Sequence, residues 1–277
     1  MLADQNRLYC RSMKSTLSFY KYHGAGNDFI ILDAADLKGQ SLSSKRVAEW
    51  CKRRYGVGAD GLMVFTAVKN EEIDFEMQYY NADGSSGMMC GNGGRCIALY
   101  AHEVKGVSKT MRFSLKTDVF QAEILEGRTV ALGLQSVSNV KVNGDNTCFC
   151  DTGSPHHIEW VLEPLNEVAV FSRGQALRNR YHPDGCNVNF VDVLSKDQLA
   201  IRTYERGVED ETHACGTGVA AAAISAHRMA KVEGNSIKVS AIGGDLEVQF
   251  QENNGVYSQV TLIGPAQAVF EGTLLWP

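Results

Sequence analysis

The chain has 277 residues, 44% of them hydrophobic, and a formal net charge of -5, enough for one large domain or two medium ones. The acidic balance and the lack of a long basic run argue against nucleic acid as a main partner. The longest apolar run, in the alanine-rich stretch after Cys215, is far too short to span a bilayer.

Met1 to Ser15 is polar and lacks an apolar signal region, which argues against secretion. Residues 1–16 read as a loose N-terminal extension, with Met13 as an alternative start. From Leu17 the chain alternates apolar and polar residues to Tyr22, an opening strand. A glycine-rich turn, His23 to Asp28, leads into the buried strand Phe29 to Leu32. Ser43 is a helix N-cap, and Arg46, Val47, Trp50 and Cys51 recur at helical spacing, predicting a helix that runs to Tyr55. Gly56 to Gly61 is glycine-rich, but it lacks the spacing and the following helix of a dinucleotide loop. Leu62 to Phe65 and Ile73 to Tyr80 read as strands, the second ending in the turn cluster Asn81 to Ser86. A helix after Cys90 runs to about Lys105, with Gly106 beyond its end. Strands follow over Lys109–Leu115, Val119–Leu125 and Arg128–Leu134.

Around Gln135 to Asn139 the pattern restarts. Thr152 to Ile158 takes the place of Ala25 to Ile30, and Gly185 to Val191 takes that of Ala59 to Phe65. A strand over Ile201 to Tyr204 leads through Glu205 to Thr212 into a second helix after Cys215, with Gly234 beyond it. Strands Ser236–Ala241, Asp245–Phe250 and Tyr257–Ile263 follow, and the last strands, to Trp276, return to the first half. The two helix starts are copies: Cys90, Gly91, Gly93, Ala98, Ala101 and His102 match Cys215, Gly216, Gly218, Ala223, Ala226 and His227. We infer an internal duplication, two α/β domains of one topology. The second helix has almost no polar face and must be enclosed.

The eight cysteines fit neither of the usual structural uses. The chain is long and core-rich enough to need no disulfide scaffold. The gaps between Cys90 and Cys96 and between Cys148 and Cys150 do not suit zinc, so no metal is expected. Reduced thiols in a cytosolic protein fit better.

Each Cys-Gly-x-Gly places a thiol at a helix mouth beside backbone amides, where the helix dipole and those amides favour the thiolate. A nucleophile would be single, with a partner histidine. A duplicated thiol suits a symmetric task, taking a proton from one face of a carbon and returning one to the other. The amides of Gly91, Asn92, Gly216 and Thr217 would then converge on a substrate carboxylate and stabilise the charge that moves onto it. No lysine stands in a pyridoxal context, so no cofactor is expected.

Five stretches together resemble the diaminopimelate epimerase family: His23 to Phe29, Asn81 to Ser85, Cys90 to Cys96, Asn187 to Phe190, and Tyr204 to Gly218. The resemblance covers nearly everything from Phe19 onward. It implies an α+β fold of two pseudo-symmetric domains, each a curved, mostly antiparallel sheet wrapped around a central helix. The expected domains are 17–134 plus 263–277, and 135–262, with the active site in the cleft between them. The implied reaction is cofactor-independent interconversion of LL- and meso-diaminopimelate, for lysine and cell-wall synthesis. Cys90 and Cys215 would be the acid and base. Asn27, Asn81, Asn187, Glu205 and Arg206 would bind substrate, with Gly91, Asn92, Gly216 and Thr217 as the amide cradle. His156 would assist near the thiols. Gly61 stands where some members have Gln, and Ser154 where many have Asn. Proline and hydroxyproline racemases carry a histidine at the position of Asn92, which favours the diaminopimelate branch; a thiol-redox or metal-binding protein is the remoter alternative. Family members often form homodimers, and nothing in the sequence marks an interface.

Overall fold

The computed structural model describes residues 15–144, 146–181 and 183–276. Most of the expected N-terminal extension, with Met13, lies outside them. The first half contains β1 (Ser15–Gly24), β2 (Asn27–Asp33), α1 (Ser44–Cys51), β3 (Gly61–Ala67), β4 (Phe75–Asn81), α2 (Gly91–Glu103), β5 (Thr110–Leu115), β6 (Asp118–Ile124) and β7 (Thr129–Gly133). The second contains β8 (Val140–Asn143), β9 (Thr147–Asp151), β10 (Pro155–Trp160), α3 (Val170–Arg180), β11 (Asn187–Ser195), β12 (Gln198–Glu205), the short β13 (Asp210–Thr212), α4 (Gly216–Arg228), β14 (Ser236–Ala241), β15 (Gly244–Asn253) and β16 (Val256–Pro265). The closing strand β17 (Gln267–Trp276) goes back to pair with β1.

The two halves repeat one set of pairings. β2 runs parallel to β3 as β10 does to β11, and β4 runs parallel to β5 as β12 does to β14. A parallel pair cannot be joined by a tight turn and needs a crossover, which helices supply. The crossovers here are α1 and α3 for the first kind, α2 and α4 for the second. The remaining neighbours are antiparallel, so each half is a mixed but mostly antiparallel sheet. The equivalent strands β7 and β16 pair with each other, with Leu132 opposite Leu262, and join all seventeen strands into one sheet.

Burial follows from this wrapping. One core cluster surrounds α2 and another surrounds α4. Gly216 to Ala226 is buried without a break, as the alanine-rich sequence requires of an enclosed helix. Two smaller cores lie under α1 and α3. No helix among the described residues is long and apolar enough to cross a membrane.

Several elements differ from the sequence reading. α1 ends at Cys51 rather than near Tyr55. Lys52 is extended, and the amides of Gly58 and Ala59 fold back onto the carbonyls of Trp50 and Cys51, which closes the helix early. β1 and β2 close to a two-residue turn, so His23, Gly24, Asn27 and Asp28 are strand residues rather than part of the turn. Ile263 is in the interior of β16, the strand both halves share, and does not open a new one. α3 was not anticipated, because only Val170 and Gly174 of its residues are buried and its apolar stripe is too thin to read.

Ala222 on α4 is fully buried. Ala222→Leu forces extra methylenes into a closed core and is expected to cost about 1–3 kcal/mol. Equilibrium denaturation measures this, and an unchanged midpoint would mean that α4 is not enclosed.

Candidate active site

Cys90 and Cys215 occupy equivalent places, each the N-cap residue of its helix with an extended backbone and no side-chain capping bond. The two helix mouths meet. A Cβ on Gly216 would lie 3.1 Å from Gly91 Cα and 3.4 Å from the Asn92 amide nitrogen. A Cβ on Gly91 would lie 3.4 Å from Gly216 Cα. Leu262, from the strand at the junction of the halves, packs beneath both. A Cβ on Gly216 would press on the backbone of the other helix, so glycine there lets the two first turns, with their free amides, come together. Cys215 is buried and Cys90 half-buried, and both thiols are free.

Each thiol is held by its own half. Cys90 Sγ donates to Asn27 Oδ1 at 3.5 Å. Asn27 Nδ2 donates to Asp60 Oδ2 at 2.7 Å, which fixes its amide with the oxygen toward the thiol. Asp60 and Asp28 are themselves tied to Arg53, and Asp28 to Lys21 at 2.7 Å. Asn92 Nδ2 donates to Asn27 Oδ1 at 3.2 Å and to the Ala214 carbonyl at 2.8 Å, binding the first helix mouth to the residue before Cys215.

On the other side Cys215 Sγ lies 3.5 Å from Thr217 Oγ1. Thr217 Oγ1, Ser154 Oγ and His156 Nε2 form a triangle with sides of 2.9, 3.1 and 3.2 Å. Asn189 Nδ2 donates to the His157 carbonyl at 3.1 Å, so its amide orientation is fixed, and it must also donate to His156 Nδ1 at 3.2 Å. The proton of neutral His156 is therefore on Nε2, facing the two hydroxyls. Burial and the nearby Arg206 push the His156 pKa down to about 3, which keeps it neutral. Asn187 links Ser154 and the Pro155 carbonyl to the Arg206 amide, which it accepts at 2.9 Å.

The remaining expected residues differ in exposure, from exposed Asn81 to buried Gly61. Asn81 ends β4, exposed, and donates to Ser85 Oγ at 3.0 Å. Gly61 faces it across the strand pair, and a Cβ there would lie 2.6 Å from the Tyr79 ring, so the aromatic fills the space a side chain would take. Among the described residues no ion pair joins Glu205 to Arg206: Thr212 Oγ1 donates to Glu205 at 2.8 Å, and the Arg206 side chain reaches the Asp184 carbonyl at 3.4 Å. Asp60, Arg95 and Asn189 were missed by the sequence reading. Asp60 had looked like part of a plain glycine loop, and the other two sat unremarked inside motifs singled out for their neighbours.

The electrostatics correct one expectation. The helix mouths were expected to lower both thiol pKa values, yet both are raised, Cys90 to about 11 and Cys215 further. Burial is the largest cause for each, and the negative charge of Glu205 is the next. The backbone amides at Asn92 and Gly93 for Cys90, and at Gly218 for Cys215, pull the other way and are outweighed. Glu205 itself is pushed up to about 7 by burial, with Asp60 adding to the shift against the Thr212 hydrogen bond.

The family model for diaminopimelate epimerase matches residues 19–136 and again 148–269. The chain belongs to the diaminopimelate epimerase family. Relatives bearing that name include one from Flavobacterium psychrophilum, 39% identical over 260 residues, covering 93% of this chain and 100% of the relative. Another, from Chlorobaculum tepidum, is 41% identical over 261 residues, covering 91% of this chain and 98% of its own. Among solved structures, a hydroxyproline epimerase from Agrobacterium vitis superposes with a TM-score of 0.71 at 14% identity, over 95% of this chain and 93% of its own. A phenazine biosynthesis protein of the PhzF family from Bacillus anthracis gives 0.70 at 16% identity, over 94% and 99%. At such identities these two share the fold: two repeated halves, each a curved sheet around a central helix.

Glu205 yields a prediction on stability. Its pKa is raised from the ordinary 4.5 to about 7 in the folded chain. Between these values the folded state holds a proton the unfolded state has released, so this group's contribution to stability falls as pH rises through that window. Urea denaturation from pH 4.5 to 7 is expected to show a decline in the wild type that Glu205→Gln lacks. Parallel curves for the two proteins would contradict the assignment.

Proposed function

We propose that this chain interconverts LL- and meso-2,6-diaminopimelate by moving a proton at the α-carbon between Cys90 and Cys215. The carrying observation is that two copies of Cys-Gly-x-Gly cap two helices whose first residues touch. The names of the relatives, nearly as long as this chain, support the substrate.

In this reading the thiolate of one cysteine removes the α-proton and the thiol of the other delivers one to the opposite face. The electron pair left on the carbon spreads into the substrate carboxylate. The amides of Gly91, Asn92, Gly216 and Thr217 point at that group and bind it more strongly as its charge grows, which lowers the barrier. Glu205 meets a substrate ammonium, and the pairing removes the negative charge that now opposes thiolate formation at both sulfurs. Arg206, Asn81 and Asn187 bind the distal amino-acid end, where a guanidinium suits a carboxylate. His156 and Ser154 hold Thr217 in place beside Cys215. The reaction site is the cleft between the two domains expected from the sequence, with the second boundary after β16 rather than at Ile263. Support for that division comes from β17 returning to β1. A cytoplasmic location and a homodimer complete the reading. The exposed Val269, Phe270 and Leu275 of β17 support the dimer, and light scattering of the purified protein tests it.

Incubation of LL-diaminopimelate with the enzyme in heavy water, followed by mass spectrometry and stereochemical analysis, tests the reaction. One deuterium is expected in each inverted centre. Cys90→Ala and Cys215→Ala are each expected to lose at least about a thousandfold in kcat while keeping the fold. Near-wild-type epimerisation in either variant, or inversion without deuterium, would refute the two-base scheme.

A further inference from the structure

Arg95 is the largest fully buried side chain of the described residues. Its hydrogen-bond acceptors are all neutral: the Gly91 carbonyl at 3.2 Å, Asn92 Oδ1 at 3.0 Å and the Pro265 carbonyl at 3.5 Å. No carboxylate pairs with it among the described residues. The ionisable groups that act on it are two thiols, Cys96 and Cys90. The guanidinium has been given room: a Cβ on Gly24 would lie 3.3 Å from its Nη2, and one on Gly264 would lie 3.3 Å from its Cζ.

A buried cation without an anion is costly. This one also sits in the second turn of α2, near the end where the helix dipole is already positive. The acceptors that satisfy its N–H groups are neutral, so the charge itself is left without a counterpart. Cys96 is fully buried, whereas Cys90, the N-cap residue of α2, is half-buried. The repeat sharpens the point, because the position five residues after Cys215 is Ala220. The two helix mouths match in backbone and differ in this charge.

We propose that Arg95 is a positioning residue that serves as the buried counter-charge of the Cys90 thiolate and holds that sulfur against the second helix mouth. This rests on reading Cys90 as a proton acceptor. The positional link runs from Arg95 Nη2 to Asn92, from Asn92 to Asn27 and to the Ala214 carbonyl, and from Asn27 to the Cys90 thiol. Other charged groups act on the same sulfur. Glu205 of β12 opposes its ionisation, and Tyr79 of β4, Cys96 of α2 and Cys215 of α4 are its titratable neighbours. Cys215 has the Thr217 hydroxyl and the Gly218 amide in its favour, with burial and the charges of Glu205 and Cys90 against it. The duplicated site is therefore unequal. Cys90 ionises first, so once a bound substrate neutralises Glu205 the working pair is a Cys90 thiolate facing a Cys215 thiol.

The test is the pH dependence of iodoacetamide alkylation at each cysteine of freshly reduced protein, followed by peptide mass spectrometry. In the wild type the Cys90 midpoint is expected at least about one pH unit below that of Cys215, the size of effect a close opposite charge produces. Arg95→Gln is expected to raise the Cys90 midpoint, and with it the acid limb of kcat/KM, by about a unit or more. Its Cys215 midpoint stays in place. Arg95→Lys keeps the charge and loses the fork, so kcat falls while the Cys90 midpoint stays near that of the wild type. A purely structural Arg95 would lower the melting temperature in both variants and move neither midpoint. Equal or inverted midpoints in the wild type overturn the proposal even if no variant folds, and so does an unmoved Cys90 midpoint in folded Arg95→Gln. Alkylation needs no turnover. An inactive protein with separated midpoints would thus count against the epimerase reading alone, and an active one with equal midpoints against Arg95 alone.

Discussion

The contact between Gly91 and Gly216 is the constraint on which the rest of the structure depends. Two helices that meet mouth to mouth bring unpaired amides and two N-cap thiols to one place, and a side chain at Gly216 would press on the backbone of the other helix. The sheet is arranged around that contact. Leu132 and Leu262 face each other across β7 and β16 at the centre of the seventeen strands, and Leu262 supports both glycines. Each helix is enclosed by its own half, so neither can move away from the junction without opening a core.

That arrangement sets two electrostatic effects against each other. Helix mouths favour thiolates, while burial and a shared carboxylate oppose them. As the site stands, burial and Glu205 win at both sulfurs. A substrate that pairs with Glu205 and places its own carboxylate on the amides would change this balance on binding. The chemistry then begins when the right molecule is present, and the thiols are otherwise held protonated and less open to oxidation.

The duplicated motif made much of this legible in advance. Cys90, Cys215 and the glycines beside them announce themselves because the same unusual spacing of thiol and glycines opens two helices. The alanine run of α4 likewise announces its own burial. The helices that cover the outer faces were harder: α3 buries little, and α1 is cut short by backbone bonds that no spacing rule anticipates. The supporting residues were hidden for another reason. Asp60 matters because it turns the Asn27 amide, and Asn189 because it sets the tautomer of His156, and both roles exist only through contacts distant in sequence. The direction of the thiol shifts was also beyond the sequence, which displays the helix dipole and conceals the depth of burial.

Oxidative trapping probes the central geometry most directly. Treatment of the reduced protein with a mild thiol oxidant, then peptide mapping without reductant, reports which sulfurs come within bonding reach of each other. A Cys90–Cys215 linked peptide should appear in step with the loss of epimerase activity, and dithiothreitol should restore both. Activity that survives full oxidation, or cysteines that pair in any other combination, would mean that the two sulfurs do not flank one carbon.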